Sequence, residues 1–235
     1  MPITDTTEKR FESDITAFLL SPEGGYTHNE DVYDARLGVF PETLIRFVRR
    51  TQPKAWARFE RANAVDAVAK FVSAFNNACD ADGLVSVLRH GFKHRGIAFR
   101  VCYFKPESGL NQTAAELYAA NEICCNRQWF YSPECHKSVD MVLSVNGIPV
   151  FAFELKNQYT GQNADDAKRQ WIADRDPREL CFQFNKRILG YFAVDHFDVW
   201  MTTQLTGEDN FLPFNQGSAG AGRDGGKGNP PNPDG

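Results

Sequence analysis

The chain has 235 residues, of which 42% are hydrophobic and 24% charged, which is typical of a globular protein with one full core or two small ones. No apolar run approaches the roughly 18 residues that span a bilayer, and no signal peptide follows Met1, so we expect a cytoplasmic protein with six reduced cysteines. The net charge of −4 argues against nucleic-acid binding by bulk positive charge, although a locally basic cleft remains open.

Helical periodicity dominates the first ninety residues. Phe11, Ile15 and Leu19 predict a helix over residues 8–20, and similar spacing predicts helices over 42–50, 56–78 and 84–90. This half is locally basic. We interpret its cations as a solvated helix face in preference to a nucleic-acid contact: Arg46, Arg49, Arg50, Lys54, Arg58 and Arg61.

Strand-like segments dominate the second half, at residues 97–104, 127–132, 188–194 and 199–203, with helical patterns over 112–121 and 161–175. This order predicts an α/β fold, with a mixed central β-sheet flanked by helices on both faces. From about residue 216, glycine, proline and asparagine dominate, which is typical of a linker that cannot bury enough surface to order itself.

The stretch DMVLSVNGIPVFAFELK, residues 140–156, predicts two apolar strands joined at Asn146-Gly147. Glu154 and Lys156 are two residues apart and therefore share a face of their strand. A two-residue type I′ turn without a bulge would place Asp140 on the other face. We therefore predict a three-residue loop that sets Asp140 opposite Ala152 and diagonal to Glu154, or a compensating bulge elsewhere.

Two carboxylates with open positions on one face suit Mg²⁺, which prefers oxygen ligands and retains several waters. A metal there would activate a water, and Lys156 would place positive charge beside a reacting phosphate. The alternative interpretation is a buried ion pair between Glu154 and Lys156, which returns little stability for its desolvation. Cys124, Cys125, Cys135 and His136 lack the spacing of a zinc site, so we expect core cysteines there.

Asp140 followed after thirteen residues by Glu154-Leu155-Lys156 resembles the PD-(D/E)XK nuclease signature, with Val139 in place of the leading proline. The region 151–233, which includes FAFELKNQYTGQNADDAKRQWIADRDPREL, FLPFNQG and GNPPNP, resembles the restriction (R) subunit of Type I restriction-modification enzymes. The resemblance implies a restriction-endonuclease-like core over residues 1–215, with a helical insertion at about 40–92.

The same resemblance implies roles for individual residues. Asp140, Glu154 and the backbone carbonyl of Leu155 would bind Mg²⁺, Lys156 would be the catalytic lysine, and Gln170 would support the lysine or contact the DNA backbone. The family often has a tyrosine four residues after that glutamine. Asp174 stands there instead, and the neighbouring Trp171 is the candidate to supply the ring. An acid from the first helix often reaches the metal in related nucleases, which makes Glu12 a further candidate ligand.

At the level of the whole enzyme, the resemblance implies an endonuclease that cuts unmodified double-stranded DNA. ATP-dependent motor domains would follow the linker, and modification and specificity subunits would complete the complex, with no membrane component. Two alternatives stay open. One is a catalytically idle module of the same fold that grips DNA or couples to the motor, and the other is a small-molecule phosphodiesterase or metal hydrolase with a closed pocket.

Overall fold

The computed structural model describes residues 8–63, 65–108 and 110–214, so the predicted linker lies outside the described residues. The helices of this part are α1 (Glu8–Leu19), α2 (Pro41–Thr51), α3 (Pro53–Ala62), α4 (Ala67–Asp82), α5 (Leu84–His90), α6 (Gln112–Ala119) and α7 (Ala164–Asp174). The strands are β1 (Phe92–His94), β2 (Ile97–Phe99), β3 (Ile123–Phe130), β4 (Ser138–Val145), β5 (Ile148–Leu155), β6 (Gly190–Val194), β7 (Val199–Thr202) and β8 (Leu212–Pro213).

Six strands form the central sheet in the order β3-β4-β5-β6-β7-β8. Strands β5 and β6 are parallel, and the other neighbours are antiparallel. A parallel pair needs a crossover connection, and α7 lies in the segment that joins β5 to β6. The predicted mixed sheet with flanking helices is therefore confirmed.

The two faces of the sheet are covered by different helices. Phe11, Ile15 and Leu19 of α1 pack on the face that carries Met141 and Leu155. On the other face, Ala167 and Trp171 of α7 pack with Val142, Ala152, Tyr191 and Ala193. Alternation along a strand sends consecutive side chains to opposite faces, so Glu154 points to the α7 side.

Helices α2 to α5 and the β1–β2 hairpin form a separate apolar cluster that reaches the sheet at Ile148 and Val150. The single helix predicted over 56–78 is wrong, because the chain breaks between α3 and α4. Asn63 is buried and donates its side-chain amide to the Phe59 carbonyl at 2.9 Å, which competes with a continuing helical hydrogen bond.

The strand predicted over 97–104 is also shorter than expected. Within this range only β2 is a strand, and it pairs with β1 outside the central sheet. The backbone N–H of Arg100 bonds to the Gln52 side chain at 2.8 Å, which ends the ladder one residue after β2. Among the described residues, no helix combines the length and the apolar character needed to cross a membrane.

Candidate active site

The turn between β4 and β5 has two residues. Asn146 and Gly147 have φ values of 51° and 79°, which are left-handed values typical of a type I′ turn, and Val145 pairs with Ile148. The predicted three-residue loop is therefore wrong. Asn and Gly tolerate positive φ better than other residues, and the shorter loop matches the twist of the two strands.

A β-bulge in β5 changes the register beyond this turn. Ser144 pairs with Pro149 but Leu143 pairs with Phe151, so Val150 is the extra residue. The bulge is the alternative that the sequence left open. Proline lacks a donor for the ladder and is found in sheets mainly at edges and bulges, so Pro149 was the signal for its position.

The bulge brings the two carboxylates together. Met141 pairs with Phe153, and continuing this register by one residue puts Asp140 directly opposite Glu154 rather than opposite Ala152. Asp140 accepts a hydrogen bond from the Leu155 N–H at 2.8 Å, which fits this register. The pair shares the face that α7 covers.

Glu154 is fully buried, and its two carboxylate oxygens have different environments. Oε1 accepts a hydrogen bond from Nε of Arg175 at 3.0 Å and a second one from the same guanidinium. Oε2 is buried and has no hydrogen-bond partner among the described residues. Burial and the nearby charge of Asp140 raise the pKa of Glu154 to about 8, against the opposing effects of Arg175 and Lys156.

Arg175 is the residue of the site that the sequence analysis missed. It ends α7, is 4% exposed, and also donates to the Ser138 carbonyl at 2.8 Å and the Tyr131 hydroxyl at 3.5 Å. The buried ion pair foreseen as an alternative was Glu154–Lys156, whereas the structure pairs Glu154 with Arg175. With Asp140 and Lys156 included, two carboxylates and two cations balance one another.

Lys156 follows β5 directly, and Gln170 lies on α7, the helix that covers the face of Glu154. Lys156 is 8% exposed at the end of β5, where its backbone N–H donates to the Val194 carbonyl at 2.8 Å, and its charge acts on Glu154. Gln170 is half-buried on α7. The catalytic role of Lys156 stays a prediction, and Arg175, which the sequence analysis did not identify, donates directly to the Glu154 carboxylate.

Trp171, the candidate to supply the ring of the missing tyrosine, points into the core. Its side chain is fully buried, and its indole N–H donates to the Phe192 carbonyl at 2.9 Å. Asp174 lies at the surface, where Lys137 approaches its carboxylate at 3.4 Å. That interpretation of Trp171 is wrong because the residue lies on the apolar side of α7.

Glu12 is directed to other partners. Its carboxylate accepts from Nε of Arg127 at 2.7 Å and lies 3.4 Å from the side-chain nitrogen of Gln128. Gln128 has a φ of 47°, a rare conformation for a residue in a strand, and it also accepts a hydrogen bond from the Ser138 hydroxyl at 2.9 Å. Nowhere in the described ranges do three or more Cys, His, Asp or Glu side chains converge as a metal site, so Glu12 does not join Asp140 and Glu154.

Within the described residues, Cys124, Cys125, Cys135 and His136 do not converge into a group that could hold zinc. Cys124 and Cys125 are buried free thiols, as expected of core cysteines, and burial raises the pKa of Cys125 to about 11.

The residues present fit a divalent cation. A buried carboxylate oxygen without a donor is costly, because burial removes its water without replacing the lost hydrogen bonds. Oε2 of Glu154 is such an atom, and Arg175 fixes the other oxygen of the same carboxylate. A cation bound by Oε2 and Asp140 would supply the missing partner, and hard oxygen ligands favour Mg²⁺.

A comparison with protein-family models gives a match. The family model described as Type I restriction enzyme R protein N terminus matches residues 45–210, more than two thirds of the chain. A search of curated proteins found no match. The matched segment contains Asp140, Glu154, Lys156, Gln170 and Arg175, together with most of the sheet. The chain therefore belongs to the family of Type I restriction enzyme R-protein N-terminal regions.

Proposed function

We propose that this chain is a Mg²⁺-dependent DNA endonuclease module of a Type I restriction enzyme. The observation that carries the proposal is the pair of facing carboxylates, in which Glu154 keeps one buried oxygen without a donor beside Lys156. A purely structural site would satisfy both oxygens, since a half-satisfied buried carboxylate costs more than an apolar side chain.

Asp140, Glu154 and the Leu155 carbonyl would hold the cation. Bound there, Mg²⁺ would lower the pKa of a water and offset the negative charge that develops on the phosphate. Arg175 fixes Oε1 of Glu154 and so keeps Oε2 directed away from it. Lys156 supplies positive charge to the phosphate oxygens, and Gln170 on α7 contacts the lysine or the DNA backbone.

The rest of the enzyme follows from the family as a proposal. The substrate is unmodified double-stranded DNA, which an attached ATP-dependent motor delivers. Residues 216–235 link the 1–215 module to that motor, and modification and specificity subunits select the DNA. The assembly works in the cytoplasm without a membrane component.

Cleavage of supercoiled plasmid by the complete enzyme, with Mg²⁺ and ATP, tests the proposal. We expect Glu154→Gln and Lys156→Ala to abolish cutting while ATP hydrolysis continues, because only the nuclease centre is changed. Asp174→Asn is the matched control, since Asp174 is an exposed carboxylate on the same helix as Gln170. Normal cutting by either site variant would overturn the proposal.

A catalytically idle module is the second candidate, and one observation favours it. Arg175 forms a buried ion pair with Glu154 without any metal. In that case the wild-type enzyme would translocate DNA and hydrolyse ATP without cutting it. Cutting by wild type that is lost in Glu154→Gln excludes this candidate.

A further inference from the structure

Positive charge is concentrated in the helical part of the chain. Residues 40–100 contain eleven Lys and Arg against five Asp and Glu, whereas the remainder contains fifteen against twenty-five. The net charge of −4 is therefore the sum of +6 for residues 40–100 and −10 for the remaining residues. Such a distribution attracts a polyanion to α2–α5 and the β1–β2 hairpin, although the whole chain is acidic.

Three arginines of this segment converge on one surface. Arg58 and Arg61 lie one turn apart on α3, and Arg95 lies in the turn between β1 and β2. Together with Ala62 and Ile97 they line a surface depression of about 340 Å³. We call this set of Arg58, Arg61 and Arg95 the arginine surface.

The arginine surface differs from the basic residues of α2. Arg46 pairs with Asp31 and Glu122, Arg49 pairs with Glu60, and Arg50 pairs with Glu122. No ion pair among the described residues includes Arg58, Arg61 or Arg95. The ion-paired arginines of α2 fit the solvated helix face predicted for this half, whereas Arg58, Arg61 and Arg95 place three like charges around one depression.

The scaffold under the arginine surface is well packed. Arg95 and Gly96 have φ values of 47° and 75°, so a two-residue turn of left-handed residues holds Arg95 at its tip. Phe59, which follows Arg58, packs edge-on against His94 and Phe99 of the hairpin, with ring centroids 5.6 Å apart in both cases. The contacts that position α3 against the hairpin therefore lie directly beneath the arginines.

We propose that the arginine surface binds backbone phosphates of duplex DNA, independently of sequence. Guanidinium groups match phosphate geometry, and charge-assisted contacts to phosphates carry most sequence-independent affinity for DNA. The inference rests on the proposed function only for the choice of DNA as the polyanion. It adds a second contact to the enzyme, on the helical segment, that uses none of the residues of the metal site.

Fluorescence anisotropy with a labelled duplex of about 30 base pairs tests this contact, using the 235-residue chain in EDTA so that no cleavage occurs. The variant Arg58→Gln/Arg61→Gln/Arg95→Asn removes the surface, and asparagine suits the positive φ at residue 95. The slope of log K against log salt is negative, and each lost phosphate contact lowers its absolute value, called the slope below, by about 0.9. We therefore expect the slope to fall by about 3, and by about 1 for Arg95→Asn alone.

Two controls isolate the surface from general charge. Arg46→Gln/Arg49→Gln/Arg50→Gln removes the same charge from ion-paired residues and should change the slope by less than about 1. Replacing the three arginines of the surface by lysine keeps the charge and should keep the slope. An unchanged slope in the triple variant, or an equal fall in the α2 control, would overturn the proposal and leave the surface to an acidic protein partner.

The outcome is separable from that of the proposed nuclease. A fall in slope that is confined to the arginine-surface variants, in a chain whose complete enzyme does not cut DNA, supports the surface and refutes the nuclease. Cutting that depends on Glu154, together with an unchanged slope in the triple variant, supports the nuclease and refutes the arginine surface.

Discussion

The buried pair of Glu154 and Arg175 allows the sharpest test of how the site is held together. Their side chains are 0% and 2% exposed, and Nε of Arg175 lies 3.0 Å from Oε1 of Glu154. Removing one partner of such a pair leaves an uncompensated buried charge and typically costs about 3–5 kcal/mol. Replacing both partners by neutral groups of similar volume is often close to neutral.

A double-mutant cycle separates these effects. Glu154→Gln and Arg175→Met keep the side-chain volumes. Arg175→Met should lower the free energy of unfolding by about 3–5 kcal/mol in the wild-type background, where it leaves ionised Glu154 without its cation. In the Glu154→Gln background the same change removes an unpaired buried cation and should cost little, which gives a coupling energy of at least about 3 kcal/mol. The measurement is urea unfolding followed by circular dichroism at pH 8.5, above the raised pKa of Glu154.

Lys137 and Asp174 provide the matched control, since their side chains are each 52% exposed and 3.4 Å apart. Exposed pairs are screened by water, so the cycle Lys137→Met/Asp174→Asn should give a coupling energy below about 1 kcal/mol. A coupling energy for Glu154 and Arg175 that is no larger than this control would refute the reasoning, because the pair would then not be desolvated as the structure requires.

Three further results are expected. Between pH 4.5 and about 8 the folded chain retains a proton on Glu154 that the unfolded chain has released, so the metal-free protein should lose stability as pH rises through this range. Urea unfolding of Glu154→Gln should lack that part of the pH dependence, and an unchanged profile would contradict the assignment. Gly147→Ala should destabilise by more than about 2 kcal/mol, because φ is positive and a Cβ would lie 2.5 Å from the Phe40 carbonyl oxygen. Gly25→Ala, with positive φ but open space, should cost only about 1 kcal/mol in the same thermal melts, and equal losses would refute the steric account. Glu12→Gln should change the Mg²⁺ dissociation constant, measured by calorimetry, by less than about twofold relative to wild type, because Arg127 and Gln128 contact the Glu12 carboxylate. A loss of affinity of about tenfold would show that Glu12 is a metal ligand.

The sequence predicted the part of the site that is local in the chain. Strand periodicity alone predicts that Glu154 and Lys156 share a face, and the requirement that Asp140 join them led to a choice between a longer loop and a bulge. The structure has the bulge. Pro149 could have decided the choice, because a proline in a central strand indicates an interrupted ladder.

The rest of the site depends on tertiary contacts that no spacing reveals. Arg175 is 21 residues from Glu154, and it reaches the carboxylate because α7 crosses back over the sheet. The same packing directs Trp171 into the core. Its position next to Gln170 in the sequence does not reveal that direction. The break at Asn63 within the predicted helix is likewise set by a buried side-chain hydrogen bond, and the apolar periodicity of α3 and α4 conceals it.

Anomalous diffraction from crystals of this chain soaked in Mn²⁺ tests the central claim most directly, because Mn²⁺ shares the oxygen ligands of Mg²⁺ and scatters anomalously. We expect one strong peak about 2.0–2.2 Å from Oε2 of Glu154 and bonded also to Asp140 and the Leu155 carbonyl, and no such peak in Glu154→Gln. A well-ordered Asp140–Glu154 pair without a peak, or the same peak in Glu154→Gln, would contradict the metal centre proposed here.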